Sequence, residues 1–174
     1  IKGNVELEQK IRMNDWIFGP GLPDNCPQII SKEFEKTDSQ SQAFINGKSA
    51  SELNTKDWTT HHWLRFLRAM PENLKSTQLD DLNNVFKFNE TGNSEIACDW
   101  FLICIRNNYS AANPYLKKYL ISVGRRKFLK PLYSALSASP QGKKFALEIY
   151  KEARPGYHSV SYKTIDEILN DQTK

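Results

Sequence analysis

The stretch NSEIACDWFLICI, Asn93 to Ile105, decides how this chain folds. Asn93 can cap a helix and Glu95 is an acidic first-turn residue, a combination typical of helix starts. The apolar residues that follow lie on almost every side of the helix, where a surface helix would carry one apolar stripe. We therefore predict a helix in the middle of the protein that neighbouring helices cover on both sides.

The rest of the chain also follows a helical pattern. Hydrophobic residues recur at spacings of three and four, and convincing alternation with period two is absent, so we predict an all-helical protein. A first helix over about residues 6–17 ends at the glycines and prolines of Phe18–Pro23. Further helices are predicted over about residues 31–45, 58–70, 74–88, 96–105, 114–123, 128–136, 140–153 and 161–169.

Eight or nine helices joined by short loops can fold back as antiparallel hairpins, and each hairpin exposes apolar surface that only a neighbour can cover. We expect a right-handed α-α superhelix of irregular armadillo-like or HEAT-like form, with a globular helical bundle as the alternative. Gly124 is expected to cap a helix at its C-terminal end. Pro131 is expected within about the first turn of the next helix, where a missing N–H is tolerated.

The chain has 174 residues, enough for one domain with a short appendage at either end. No apolar run reaches the eighteen residues of a membrane-spanning helix, and the start lacks the pattern of a signal peptide. Because the first residue is Ile1, the chain looks like a piece of a longer protein. Cys26, Cys98 and Cys104 lack metal-type spacing, so we expect buried thiols and a reducing compartment, with the cytoplasm favoured.

Motifs of catalysis are absent from the sequence. A zinc hydrolase needs two histidines on one helical face and a carboxylate, whereas this chain has only His61, His62 and His158. The sequence has no glycine-rich phosphate loop, no nucleophile elbow and no cysteine with a nearby base. We expect neither a metal site nor catalytic residues in this chain.

Basic residues concentrate between Tyr115 and Arg154, where ten Lys or Arg face two acids. The densest part is VGRRKFLKPLY, Val123 to Tyr133, at a predicted helix start. Cations oppose the helix dipole there, while the free N–H groups of the first turn favour an anion. An arginine offers a planar two-pronged donor and a lysine a point charge, so Arg125 and Lys127 suit a carboxylate. A solvated charged surface is the simpler interpretation of the same residues.

Three collinear segments resemble the C-terminal helical domain of the leukotriene A hydrolase type of zinc aminopeptidase, a group of gluzincin metallopeptidases. WIFGPGLP at 16–23 resembles the linker that leaves the catalytic domain of that family. NSEI at 93–96 with Trp100, preceded by the phenylalanines at 86–88, resembles the buried central helix. GRRKF at 124–128, followed by PLY, resembles the G-R-x-K-F-x-x-P-L segment.

The resemblance implies a division of labour between domains. Residues 1–23 would be the end of a thermolysin-like catalytic domain and its linker, and residues 24–174 the helical domain packed against it. The one zinc ion and its HExxH motif would lie in that catalytic domain, so this fragment alone would be inactive. Arg125 would bind the carboxylate of short peptide substrates with help from Lys127, while Arg126 stands at the variable position. No nucleic acid or membrane partner is implied.

A second interpretation treats the chain as a helical-repeat module whose basic face, residues 115–154, binds an acidic protein or a nucleic acid. Nucleic acid would require aromatic residues free to stack on bases, whereas Tyr115, Tyr119 and Tyr133 have core spacing. The sequence departs from the family near its end, where His158-Ser159 replaces a frequent His-Pro. The polar segment 31–56 also aligns poorly.

Overall fold

The computed structural model describes residues 3–27 and 30–170. These residues form ten α-helices, four short 3-10 turns and no β-strand: α1 Val5–Ile11, α2 Met13–Phe18, α3 Lys32–Ile45, α4 Thr60–Arg68, α5 Ser76–Phe86, α6 Ser94–Arg106, α7 Asn113–Ser122, α8 Arg126–Ser137, α9 Pro140–Ala153 and α10 Ser159–Asn170. The 3-10 turns are Ala50–Glu52, Phe88–Glu90, Ser110–Ala112 and Arg154–Gly156. The all-helical prediction is confirmed, with ten helices in place of the eight or nine expected.

The first of two compact units ends at Lys32. Its single predicted helix is two helices, because Arg12 adopts a left-handed conformation with φ of 54°. The guanidinium of Arg12 binds the carboxylates of Asp15 and Asp24, which hold the break in place. Several large apolar residues of this unit are exposed, among them Trp16, Ile17, Phe18 and Leu22.

The second unit begins at Glu33 and contains two layers of helices. Helices α4, α6, α8 and α10 contact one another in that order, while α7 packs against α9. Helices that alternate in sequence are therefore neighbours in space, which is the arrangement of an α-α superhelix.

Helix α6 forms the centre of this unit, as predicted. It packs between α4 and α8, and Trp100 and Phe101 are at most 1% exposed. Asn93 caps the helix by accepting hydrogen bonds from the N–H groups of Glu95 and Ile96. The indole N–H of Trp100 donates to Asn89 Oδ1 at 2.8 Å, so its one polar atom is satisfied within the core.

The cysteines follow the prediction in part. Cys98 and Cys104 are buried, and burial raises the pKa of the Cys98 thiol to about 12. Cys26, by contrast, is only half-buried. The two cysteines of α6 are therefore neutral thiols in the core.

Two details around α8 differ from the sequence prediction. Gly124 does not cap α7: Val123 holds the capping position in an extended conformation, and φ of Gly124 lies outside the left-handed region. Pro131 is the sixth residue of α8 and so lies beyond its first turn. Since proline has no N–H, the carbonyl of Lys127 lacks its helical partner, yet the helix continues to Ser137.

The end of α7 is completed by hydroxyl groups from the C-terminal part of the chain. The hydroxyl of Tyr157 donates to the carbonyl oxygen of Leu120 at 2.5 Å and lies 3.2 Å from the hydroxyl of Tyr133. The hydroxyl of Ser161 donates to the carbonyl oxygen of Gly124 at 2.8 Å. The first bond satisfies a carbonyl that the end of α7 leaves free, and the bond to Gly124 fixes the loop between α7 and α8.

Replacing Tyr157 with phenylalanine should destabilise the chain by about 1–3 kcal/mol, because the Leu120 carbonyl and the Tyr133 hydroxyl would lose a buried partner. Urea unfolding followed by circular dichroism measures the change. Tyr115→Phe is the matched control, since Tyr115 is exposed. An equal loss of stability in both variants would contradict this assignment.

Alkaline pH should unfold the chain through the same tyrosines. Burial raises the pKa of Tyr157 to about 12 from 10.0, and it also raises the pKa values of Tyr133 and Tyr150. The unfolded state therefore loses its phenolic protons first, and stability should fall as the pH rises from 10 towards 12. The ultraviolet absorbance of tyrosinate, recorded alongside circular dichroism, should show a late fraction of tyrosines that ionises only as the helices melt.

Candidate carboxylate-binding site at the start of helix α8

Helix α8 begins without the features that normally complete a helix N-terminus. Arg125 is its capping residue and forms no side-chain cap, and the first turn contains no acidic residue. The N–H groups of Phe128 and Leu129 donate to the carbonyl oxygen of Arg125. The N–H groups of Arg126 and Lys127 precede them and have no carbonyl partner within the helix. The helix start therefore offers two backbone donors and a positive dipole end to an anion.

The side chain of Arg125 is exposed at this helix start. Its guanidinium carbon lies 5.9 Å from the centre of the Phe128 ring, which is itself buried. Within the described ranges 3–27 and 30–170, the guanidinium takes part in no ion pair. Arg125 therefore has its full set of charged donors available to a ligand.

The side chain of Lys127 is placed differently. Its ammonium nitrogen lies 2.5 Å from Glu95 Oε1 and 5.5 Å from the centre of the Phe128 ring. The pair links the first turn of α8 to the first turn of α6. The structure thus brings both predicted residues, Arg125 and Lys127, to the same helix turn and the same aromatic ring. It also adds Glu95, which the sequence identified only as an acidic first-turn residue.

A second ion pair lies one helical turn further along α6. Asp99 Oδ2 accepts a hydrogen bond from Arg68 Nε of α4 at 2.7 Å, and the Asp99 side chain is only 15% exposed. Burial raises the pKa of Asp99, an effect that the neighbouring Arg68 opposes. Each of the two acids on this side of α6 is therefore matched by one cation, Lys127 or Arg68.

Two hydroxyl groups from the C-terminal part of the chain bind the backbone just before Arg125. The carbonyl oxygen of the preceding residue, Gly124, accepts a hydrogen bond from the hydroxyl of Ser161, a residue that is 3% exposed. Tyr157 binds the end of α7 four residues before Gly124. Because both hydroxyls are buried, the position of Arg125 is set by the C-terminal segment of the chain.

The basic face proposed over residues 115–154 is less basic than its sequence suggests. At least three of its ten cations are neutralised within the protein: Lys117 by Glu152, Lys127 by Glu95 and Arg154 by Asp166. Tyr119 and Tyr133 are at least half-buried, in keeping with their predicted core spacing. Tyr115 has the same spacing, but it is 37% exposed and lies outside the core.

Two of the three histidines, His62 and His158, accept hydrogen bonds from the backbone. The ring nitrogen Nδ1 of His62 accepts from the Thr59 N–H at 3.0 Å, and that of His158 accepts from the Val160 N–H at 3.3 Å. Across the residues that the structure describes, no group of three or more His, Cys, Asp or Glu side chains is placed to hold a metal ion. In the same residues, none of the helices has the length and apolar character needed to cross a bilayer.

The sequence of this chain is similar to part of several longer proteins. The family model described as leukotriene A4 hydrolase, C-terminal, matches residues 58–169. Leucine aminopeptidase 2 of Yarrowia lipolytica is 25% identical over 94% of this chain and 27% of its own length. Leukotriene A-4 hydrolase of Xenopus laevis is 24% identical over 98% of this chain and 29% of its own length. The chain thus spans less than a third of these relatives.

Among solved structures, native yeast LTA4 hydrolase superposes with a TM-score of 0.77 over 94% of this chain and 30% of its own, at 19% identity. At that identity the likeness concerns the fold, and it confirms the predicted helical superhelix. The family model covers well over half of the residues. The chain therefore belongs to the leukotriene A4 hydrolase C-terminal domain family.

Proposed function

We propose that this chain is the C-terminal domain of a zinc aminopeptidase and that it holds the free carboxylate of short peptide substrates. Arg125 would be the main ligand of the carboxylate, with help from Lys127. The observation that carries the proposal is the exposed guanidinium, which forms no ion pair among residues 3–27 and 30–170, next to two N–H groups at the start of α8 that have no carbonyl partner within the helix. Relatives named as aminopeptidases, of which this chain covers about a quarter, support the reaction class.

The chemistry of the site fits a carboxylate. A guanidinium can donate two parallel hydrogen bonds to the two oxygens of a carboxylate. The helix dipole adds a favourable interaction with an anion, which also offsets the repulsion between the cations of the first turn and the helix end. Lys127 can take part although Glu95 binds it, because an ammonium has three donors and Glu95 accepts from one.

The described part of the chain contains no cluster that could hold zinc, so the metal and its activated water would lie in a preceding catalytic domain. This domain would pack against that one and fix the far end of the substrate. Two anchored ends favour peptides of limited length, and binding energy at the carboxylate would orient the scissile bond at the zinc.

Replacing Arg125 with alanine in the full-length enzyme should lower kcat/KM for tripeptides with a free C-terminus by about ten- to a hundredfold, the range for a lost charged hydrogen bond. The same peptides with a C-terminal amide should be cleaved poorly by the unaltered enzyme and hardly affected by the substitution. Steady-state kinetics on both peptide series measures the difference.

Arg126→Ala is the matched control for this experiment, because it removes an equal charge from the next residue and should change kcat/KM less than about threefold. Zinc content should be unchanged in both variants. Equal losses on acid and amide peptides would refute the carboxylate contact. A salt-sensitive gel shift of the chain with short RNA, lost in both variants, would instead favour the nucleic-acid module.

Replacing Ser161 with alanine should raise KM for free-acid peptides by about two- to fivefold, because the Gly124 carbonyl would lose a buried hydrogen bond and the Arg125 backbone would be less firmly placed. The value of kcat/KM for the amide peptides should not change. Ser159→Ala, which alters an exposed serine of the same helix, is the control. An equal rise in KM for both variants would show that Ser161 does not position Arg125.

A further inference from the structure

We propose that Glu95 determines the charge specificity of the carboxylate site: by offsetting Lys127, it makes the site select peptide ends with one negative charge over ends with two. This inference rests on the proposed function and concerns the C-terminal residue of the substrate. Peptides whose last residue is aspartate or glutamate carry a second carboxylate at that end, and they would be the disfavoured substrates.

The geometry makes Glu95 a fixed part of the site. Its carboxylate lies 2.5 Å from the ammonium of Lys127, and its side chain is 33% exposed, against 56% for Lys127. Its backbone is held in the first turn of α6 by the side chain of Asn93. The two partners are 32 residues apart in sequence, so the contact is made by the packing of α6 on α8.

Of the two cations assigned to the carboxylate, only Arg125 is without an ion pair among the described residues. Asp99 offsets Arg68, and Glu95 offsets Lys127. Arg125 remains, and its single charge matches a single carboxylate. The exposed cations Arg126 and Lys130 also add positive charge near the site, and this charge is the same in every variant compared below.

A second carboxylate on the substrate would enter the field of Glu95. Like charges a few ångströms apart repel, and the repulsion is strongest where a side chain is partly withdrawn from water. Without Glu95 the site would carry an additional net positive charge, and the same second carboxylate would be attracted by Lys127. The charge of residue 95 therefore sets the preference between the two kinds of peptide end.

The test uses the full-length enzyme and two tripeptides that differ only at the last residue, alanine or aspartate. The measured quantity is the selectivity, defined as kcat/KM for the alanine-ending peptide divided by kcat/KM for the aspartate-ending peptide. Glu95→Gln should lower the selectivity about three- to fivefold, the range expected for one partly exposed charge. Lys127→Gln should raise it by a similar factor.

The double variant Glu95→Gln/Lys127→Gln restores the original sum of charges and should return the selectivity to within about twofold of the unaltered enzyme. A purely structural role for Glu95 predicts the opposite, since the double variant has lost both halves of the contact between α6 and α8. Glu152→Gln, which breaks the similar pair of Glu152 with Lys117, is the control and should leave the selectivity unchanged.

The proposal is overturned if Glu95→Gln leaves the selectivity within twofold of its original value, or if the double variant departs from that value as far as Glu95→Gln does. Failure here is distinct from failure of the proposed function. Arg125→Ala would still separate acid from amide peptides if the carboxylate site exists and Glu95 has no part in its specificity.

Discussion

The thirteen residues of α6 lie between α4 and α8, and their burial on both sides sets the order of the helices that follow. Seven of them are buried, and each large apolar side chain taken from water contributes about 1.5–3 kcal/mol before the entropy of folding is counted. A one-residue rotation of this helix would bring Asp99 or Glu95 towards the core. The ion pairs to Arg68 and Lys127 keep both carboxylates at the edge of the core, where a rotation of the helix would bury them without a partner.

The same packing builds the candidate site. Glu95 belongs to α6, Arg125 and Lys127 to the start of α8, and the hydroxyls behind them to the segment 157–161. Each element contributes one kind of interaction: a carboxylate that holds an ammonium, a free helix start, and donors that fix the intervening loop. The proposed preference for a single carboxylate depends on Glu95, which the packing of α6 on α8 holds against Lys127.

The sequence was sufficient to predict the features that depend on local periodicity and composition. The apolar pattern of α6, its Asn93 cap and the all-helical fold follow from residues that are neighbours along the chain. The break at Arg12, the extended cap at Val123 and the pairing of Lys127 with Glu95 do not, because each depends on partners from other segments. Pro131 lies deeper in α8 than its local preference suggests because the helix is held by burial of residues such as Leu132 and Tyr133.

For the same reason, residue types and family resemblance were enough to predict Arg125 as the main ligand and Lys127 as its helper, whereas the contact of Lys127 with Glu95 could not be predicted. The guanidinium of Arg125 forms no ion pair among the described residues, whereas the ammonium of Lys127 is bound by Glu95. Only the packing of α6 on α8 distinguishes the two side chains in this way.

The hydroxyls of Tyr157 and Ser161 connect the C-terminal segment 157–161 to the end of α7 and to the loop that leads into α8. Proteolytic cleavage after α9 would remove α10 from the row α4, α6, α8 and α10, together with the bond of Tyr157 to Leu120 and the bond of Ser161 to Gly124. Under the proposed function, a chain shortened in this way would lose the support of the Arg125 backbone, so that limited proteolysis would weaken binding of the peptide carboxylate.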